Sequence, residues 1–214
     1  LDGIKNKLSS TKIDYVRGCD VIGDNLNEID KAVKAAKKSD VAVVVLGENE
    51  WQRKDNKGTS GEGYDVATLE LTGHQKELIQ KVYATGTPTV VVLINGRALA
   101  IPWIAENIPA IVEAWYPGEK GGDAVADILF GDVNPSGKLP VTFPRNVGQL
   151  PVYYNYKLSK SYWLNEGWGN SYADLKESDP LYEFGFGLSY TTFEYSNLTF
   201  SAKSIGKYGK TTIT

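Results

Sequence analysis

Helix-like and strand-like patterns of apolar residues alternate along the first two thirds of the chain. Within residues 27–38, apolar side chains recur at helical spacing with lysines between them: Ile29, Ala32, Val33 and Ala36. Residues 41–46 then form an unbroken run rich in valine, which is typical of a strand covered on both faces of a sheet. The pattern therefore predicts an amphipathic helix followed by a buried parallel strand.

The same order of helix and strand recurs three more times. The predicted helix and strand ranges are, in chain order, 75–83 and 89–94, then 101–105 and 110–114, then 122–130 and 138–143. Such alternation is typical of an α/β fold. We therefore expect an α/β sandwich with a mostly parallel central sheet.

The character of the sequence changes after Pro144. Tyrosine and tryptophan crowd a stretch that is rich in Asn, Gly and Ser and has no clear period. Further on, residues 193–201 alternate with a period of two, which predicts a surface strand, and residues 211–213 resemble the start of another. We expect an α/β domain over residues 1–190 and, over residues 191–214, the beginning of a small all-β domain.

The composition narrows the chemistry that the chain can perform. Cys19 and His74 are the only residues of their types, which excludes an internal disulfide and argues against a metal site built on Cys or His. The 23 basic and 26 acidic residues give a formal charge of −3, and no basic block favours nucleic acid as a partner. The longest apolar runs are far shorter than the roughly 20 residues that span a bilayer, so we expect no membrane segment. Carboxylates are the abundant groups for catalysis.

A long loop between the strand at 41–46 and the helix at 75–83 holds the best candidates for chemistry. It is too long for an ordinary connection, and it leaves the carboxyl end of a parallel strand, where α/β sheets place their sites. Glu62 stands between two glycines, which allow the backbone to expose its carboxylate at a loop tip. Other candidates in or beside this loop are Glu48, Trp51, Tyr64 and Asp65. The alternative interpretation is a solvated acidic loop.

Several segments, collinear along the chain, carry a resemblance to a known family. They are residues 40–48 (DVAVVVLGE), 60–65 (SGEGYD), 94–97 (INGR), 114–118 (AWYPG), 126–144 and 181–191 (LYEFGFGLSYT). In this order they are similar to the second domain of family 3 glycoside hydrolases, the β-glucosidase group. The chain departs from the family pattern at Val66, where the family usually has Arg, and at Thr72, where it usually has Pro.

The resemblance implies an α/β sandwich that packs beside an N-terminal barrel domain and is followed by a fibronectin type III-like β domain. In this family the barrel supplies the nucleophilic Asp. The loop that matches residues 60–65 supplies the general acid/base, so this role falls on Glu62. The implied reaction is retaining hydrolysis of terminal β-D-glucosyl residues from a β-glucoside or oligosaccharide, without metal or organic cofactor.

The implied mechanism assigns supporting roles to the other candidates. A retaining glycosidase needs two carboxylates, so we expect the 214 residues alone to hydrolyse no glycoside. Trp51 and Tyr64 would offer apolar surfaces that raise the pKa of Glu62, while Glu48 and Asp65 would orient the loop or approach the substrate. Two alternatives stay open. One is a β-xylosidase or another exo-glycosidase of the same family, and the other is a non-catalytic module that binds carbohydrate or supports the barrel.

Overall fold

A computed structural model of the chain contains a three-stranded parallel sheet with helices packed against it. It describes residues 1–23, 26, 28–49, 58–59, 65–155, 172–175 and 177–214. The elements are α1 (Asp2–Lys7), α2 (Ile29–Ala36), β1 (Ala42–Gly47), α3 (Gln75–Tyr83), β2 (Thr89–Ile94), α4 (Pro102–Asn107), β3 (Ala110–Glu113) and α5 (Gly121–Leu129). The expected α/β fold class with a parallel sheet is confirmed.

The sheet has the order β1-β2-β3, and both strand pairs are parallel. Gly47 at the end of β1 lies opposite Ile94, and Leu93 lies opposite Glu113 at the end of β3. The three carboxyl ends therefore meet at one edge of the sheet. The loops that follow the strands start side by side at this edge.

The apolar core joins the sheet to helices α2, α3 and α4. Helix α3 contributes Leu78, Ile79 and Val82, which share one face because Ile79 and Leu78 lie three and four residues before Val82. The remaining buried core residues are Ile29, Ala36, Val44, Leu46, Val91, Leu93, Leu99, Ile101, Ile104 and Ile108. The helical periodicity of the sequence thus identifies the faces that are buried.

Strands β1 and β2 differ in how well they are covered. In β2 the consecutive residues Val91, Val92 and Leu93 are all buried, as expected for a strand packed on both faces. In β1, by contrast, Val43 and Val45 are exposed. The prediction of a strand covered on both faces is therefore wrong for β1. Among the described residues, the face with Val43 and Val45 is left exposed, and only the face with Val44 and Leu46 is packed.

Helix α1 packs against α5, and the sequence pattern does not predict α1 because its six residues carry no clear apolar period. The two helices approach closely at glycines: a Cβ on Gly3 would come within 2.2 Å of the Gly122 carbonyl oxygen. The Lys7 ammonium group pairs with the carboxylates of Asp127 and Asp132. The first residues of the chain are thereby fixed to α5. No helix among the described residues is long and apolar enough to cross a membrane.

Residues 131–214 contain little regular structure where they are described. The predicted strand over 138–143 is wrong: Phe143 forms an isolated antiparallel bridge with Tyr182, and no ladder continues from it. The predicted strand over 193–201 is likewise reduced to one bridge between Phe200 and Ile213. Alternating apolar residues are accommodated here by single bridges and ring contacts. The division into domains at residue 190 stays a prediction.

Candidate functional site

Polar side chains from all three strand ends gather at the carboxyl edge of the sheet. Glu48 follows β1, Asn95 follows β2, and Glu113 is the last residue of β3. Asn95 is fully buried, and only 9% of the surface of Glu48 is exposed. Buried polar groups are costly without partners, so the contacts of these residues determine how the edge is built.

Glu48 is anchored on the turn that follows β2. Its backbone N–H donates to Ile94 O over 2.8 Å, which extends the contact between β1 and β2 by one residue. Its Oε2 lies 3.3 Å from Nε of Arg97, and the backbone N–H of Gly96 donates to its carboxyl. Burial raises the pKa of Glu48, and the Arg97 charge and the Gly96 N–H oppose that rise. Glu48 therefore lies at the base of the long loop and holds it to the β2 turn.

The far end of the long loop is fastened to β1 by Gln75, the first residue of α3. Its side-chain amide accepts a hydrogen bond from Gly47 N at 2.7 Å and donates one to Gly47 O at 2.8 Å. Gly47 has a φ of 140°, and a Cβ there would come within 1.9 Å of Ile94 O. Only glycine fits this position. The backbone N–H and C=O of Gly47 therefore hold the end of β1 to the start of α3 through the Gln75 side chain.

Two further hydrogen bonds bring the chain back to the strand end part-way through the loop. Thr59 N donates to Asn49 O over 3.0 Å, and Asn49 N donates to Thr59 Oγ1 over 3.1 Å. Asn49 directly follows Glu48, so residue 59 lies at the carboxyl edge of the sheet. The motif over residues 60–65 begins one residue later in the sequence.

The last part of the loop packs on neighbouring segments. Thr72 Oγ1 donates to Val21 O over 2.7 Å, and Ala100 N donates to Leu69 O over 2.8 Å. A proline at position 72 would have no hydroxyl, so the departure from the family pattern there creates the bond to Val21. Asp65 is exposed and forms no hydrogen bond or ion pair with another described residue. Its expected role in orienting the loop stays a prediction.

Three of the predicted site residues, Trp51, Glu62 and Tyr64, lie outside the described residues. The general acid/base role of Glu62 and the supporting roles of the two aromatic residues therefore stay predictions. Within the described ranges, no group of three or more His, Cys, Asp or Glu side chains is placed to hold a metal ion.

Glu113 is a second carboxyl at this edge, and the sequence motifs suggest no role for it. Its Oε1 accepts a hydrogen bond from Trp115 N at 3.1 Å, and its Oε2 lies 3.4 Å from the donor Nδ2 of Asn95. Burial raises the pKa of Glu113 to about 7, although these two hydrogen bonds oppose the rise. One signal in the sequence points to the pair: Asn95 and Glu113 both stand at carboxyl ends of predicted parallel strands, which share one edge.

Residues 1–190 match the family model described as the glycosyl hydrolase family 3 C-terminal domain. The chain belongs to glycosyl hydrolase family 3. The resemblance carried by the sequence motifs is thereby confirmed. The edge with Glu48, Asn95 and Glu113 belongs to the part of the chain that this family model covers.

Curated relatives of this family 3 domain include glycosidases of two kinds. The chain is 47% identical over 214 residues to a β-xylosidase of Formosa agariphila, covering 100% of the chain and 28% of that protein. It is 40% identical over 236 residues to a periplasmic β-glucosidase of Salmonella typhimurium, covering 99% of the chain and 30% of that protein. The chain thus spans less than a third of the length of these relatives.

Solved structures of similar proteins agree with the fold. A β-glucosidase from Erythrobacter marinus superposes with a TM-score of 0.78 at 41% identity, over 96% of this chain and 29% of that one. A β-glucosidase from Listeria innocua in complex with isofagomine gives a TM-score of 0.75 at 32% identity, over 94% of this chain and 26% of that one. The α/β architecture of the family 3 domain is therefore shared with these glycosidases.

Proposed function

We propose that the chain is the acid/base-bearing domain of a retaining β-glucosidase that hydrolyses terminal, non-reducing β-D-glucosyl residues. Glu62 is the general acid/base, and the nucleophile is a carboxylate on a barrel domain of the same protein, outside these 214 residues. The proposal rests above all on one observation. The SGEGYD segment over residues 60–65 follows directly on Thr59, which is hydrogen-bonded to Asn49 at the carboxyl edge of the sheet.

The proposed mechanism is a double displacement at the anomeric carbon. The barrel carboxylate attacks that carbon, while Glu62 gives its proton to the glycosidic oxygen as the bond to the leaving group breaks. A water molecule then attacks the covalent glucosyl intermediate while Glu62 takes a proton from that water. This second displacement releases glucose with retained configuration. Trp51 and Tyr64 would raise the pKa of Glu62 by excluding water from its carboxyl.

The contacts of Glu48 support a positioning role for it and not the proton-transfer role. Its carboxyl is enclosed by the Arg97 side chain and the Gly96 N–H, and it is nearly removed from solvent. A group that exchanges protons with substrate must reach the glycosidic oxygen. Glu48 instead fixes the start of the loop, and we assign a positioning role also to Asp65, the last residue of the motif over residues 60–65.

A β-xylosidase of the same family is the second candidate function. It is favoured by one observation: the F. agariphila relative that is 47% identical over the whole chain is a β-xylosidase. The choice is tested by comparing kcat/KM for p-nitrophenyl β-glucoside and β-xyloside with the full-length protein that contains this chain. A preference for the xyloside would replace glucose by xylose in the proposal and leave the role of Glu62 unchanged.

A non-catalytic module that binds carbohydrate or supports the barrel is the third candidate. Glu62→Gln in the full-length protein, described below, separates such a module from an acid/base-bearing domain, and a comparison of the full-length protein with the 214-residue chain tests the divided site. We expect hydrolysis of an aryl β-glucoside only by the full-length protein, because one carboxylate cannot act as nucleophile and as acid/base in the same step. Turnover by the chain alone that survives Glu62→Ala would contradict the divided site.

The role of Glu62 is tested with Glu62→Gln in the full-length protein. A general acid contributes about 10²- to 10⁴-fold, and only where the leaving group needs a proton. We therefore expect a large loss of kcat/KM for cellobiose and a much smaller loss for a dinitrophenyl glucoside. Added azide, which needs no general base, should restore turnover of the activated substrate and yield β-glucosyl azide.

Asp65→Asn is the matched control, because Asp65 is exposed and belongs to the same motif. This variant should respond to azide no more than the unmodified enzyme does. If Glu62→Gln slows both substrates equally and azide has no effect, Glu62 is not the acid/base. Glu48 would then be the next residue to substitute.

A further inference from the structure

The carboxyl of Glu113 lies between a buried amide and a strained turn. Trp115, whose N–H donates to Glu113 Oε1, has a φ of 53°, a left-handed conformation that is uncommon for a residue other than glycine. Its indole ring contacts the buried Phe143 with ring centroids 5.9 Å apart. The bond to Glu113 is therefore part of what holds the backbone of this turn in place.

The amide of Asn95 is the partner of Glu113 on the other side. Its Nδ2 donates to Arg97 O over 2.8 Å, which fixes the orientation of the amide. Its Oδ1 is completely buried and has no hydrogen-bond partner among the described residues. A buried acceptor without a donor is unfavourable, and an ionised carboxylate beside it has only acceptors to offer.

We propose that Glu113 acts as a neutral carboxylic acid that donates its proton to Asn95 Oδ1, and that this bond together with the one to Trp115 N fixes the turn after β3. The Nδ2 bond to Arg97 O holds the amide in place, so the bond to Oδ1 forms by a shift of the Glu113 carboxyl, whose Oε2 already lies 3.4 Å from Nδ2 of the same amide. Glu113 is thus a positioning residue at the carboxyl edge of the sheet. Its ionisation removes the donor and loosens the turn.

The titration of Glu113 agrees with this geometry. Burial raises its pKa to about 7, so the neutral acid is the main form below neutral pH. Among the described residues, the other ionisable groups on the surrounding elements are Glu48 and Arg97, which pair with each other, Tyr116 in the same turn, and Tyr182 with Arg145 on the far side of Phe143. Glu48 is the carboxyl among these groups, so an experiment has to separate its titration from that of Glu113.

The turn is connected to the base of the loop that carries Glu62. Asn95 Nδ2 bonds Arg97 O, and the Arg97 side chain pairs with Glu48. The Tyr116 ring packs on Gly96, where a Cβ would come within 2.8 Å of Tyr116 Cε2. A change at Glu113 therefore reaches Glu48 through direct contacts. The extension of the inference to catalysis rests on the proposed function.

The first test follows the Trp115 amide and indole signals by NMR in the 214-residue chain between pH 5 and 9, with Trp115→Phe to assign them. We expect a transition near pH 7 in the unmodified chain. Glu113→Gln keeps a neutral acceptor and donor in the same place, so its signals should stay at the low-pH positions. Glu48→Gln should retain the transition.

Three outcomes would overturn the inference: no transition of Trp115 in the unmodified chain, the same transition in Glu113→Gln, or its loss in Glu48→Gln. The carboxyl ¹³C signal of Glu113 provides a reading that depends on no variant. It should titrate near pH 7, and a midpoint below pH 5 would contradict the neutral acid.

The second test measures cellobiose hydrolysis by the full-length protein. Glu113→Gln should match the unmodified enzyme at pH 5.5 and exceed its kcat/KM at pH 8, where Glu113 is ionised. If the two enzymes behave alike at pH 8 while Trp115 still titrates, the link to catalysis is wrong and the role in the turn stands. If neither enzyme hydrolyses any glycoside, the proposed function fails, whereas the NMR result still decides the inference.

Discussion

Residues 29–129 and residues 131–214 are built in different ways. In the first region, three parallel strands and the helices around them share one core of buried Val, Ile, Leu and Ala side chains. In the second region the described residues are joined by isolated bridges and by stacked rings, such as Tyr154 on Phe184 and Tyr182 on Phe186. Many large apolar side chains there are exposed.

The difference shows where the stability of the chain resides. Substitution of a buried residue in the first region disturbs a core that several elements share, whereas substitution of an exposed apolar residue in the second disturbs a surface contact. Free energy from burial scales with the apolar area removed from water, and the exposed side chains of the second region contribute little of it. Substitutions of the same type should therefore have very different effects in the two regions.

The largest effect is expected for Gly47→Ala at the end of β1. A Cβ at this position meets the backbone oxygen of Ile94 at 1.9 Å, and the φ of 140° is strained for any residue with a side chain. We expect a loss of more than about 4 kcal/mol in the free energy of unfolding, measured by urea denaturation.

Gly86→Ala is the matched control for Gly47→Ala. Gly86 also has a positive φ, of 77°, but a Cβ at this position would meet no atom of a described residue within 4 Å. The backbone strain alone should cost about 1–2 kcal/mol. Equal losses for the two variants would mean that the close approach of β1 and β2 at Gly47 does not limit stability.

A matched pair of isoleucines tests the comparison between the regions directly. Ile79 in α3 is 0% exposed, and Ile213 is 62% exposed. Ile79→Ala should lower the free energy of unfolding by about 2–5 kcal/mol, because it leaves a cavity in the core. Ile213→Ala should change it by less than about 0.5 kcal/mol. A large loss for Ile213→Ala in urea denaturation would show that the second region carries a core of its own.

The smallest of the three effects concerns pH and belongs to the first region. Folding raises the pKa of Glu113 from an ordinary 4.5 to about 7, so its contribution to stability is complete below pH 4.5 and is lost as the pH rises through about 7. A rise of this size in the pKa corresponds to at most roughly 3 kcal/mol.

The pH effect is measured by comparing the unmodified chain with Glu113→Gln. Between pH 4.5 and pH 8 the free energy of unfolding of the unmodified chain should fall, relative to that of the variant, by up to roughly 3 kcal/mol. Glu48 is present in both proteins, so its own titration cancels in the difference. Parallel pH dependences would contradict the assignment to Glu113.

Periodicity predicted the first region well because its elements are amphipathic or fully buried. Helix α3 and strand β2 have the predicted bounds, since Leu78, Ile79 and Val82 mark one helix face and residues 89–94 an unbroken apolar run. The pattern failed at residues 138–143, because Phe143 is buried by Tyr182 and Trp115 and not by a neighbouring strand. Alternation within one segment carries no information about such distant partners.

The candidate site was predictable where a motif or a strand end marks it. Glu48 directly follows an apolar run, and the structure places it at the base of the loop that the motif occupies. Glu113 looks like an ordinary residue at the end of a short strand. Its chemistry depends on Asn95, 18 residues earlier in the chain, and on a backbone conformation at Trp115 that no sequence pattern encodes.

The pair of hydrogen bonds between Asn49 and Thr59 has a consequence for how such a domain diversifies. Because the two residues are bonded to each other, the chain positions on either side of the segment between them lie next to each other at the strand end. Inserts of other lengths could be exchanged there without displacing Gly47 or Gln75, which are joined separately. The domain thus offers a natural grafting point, at which new binding surfaces can be installed beside an unchanged sheet.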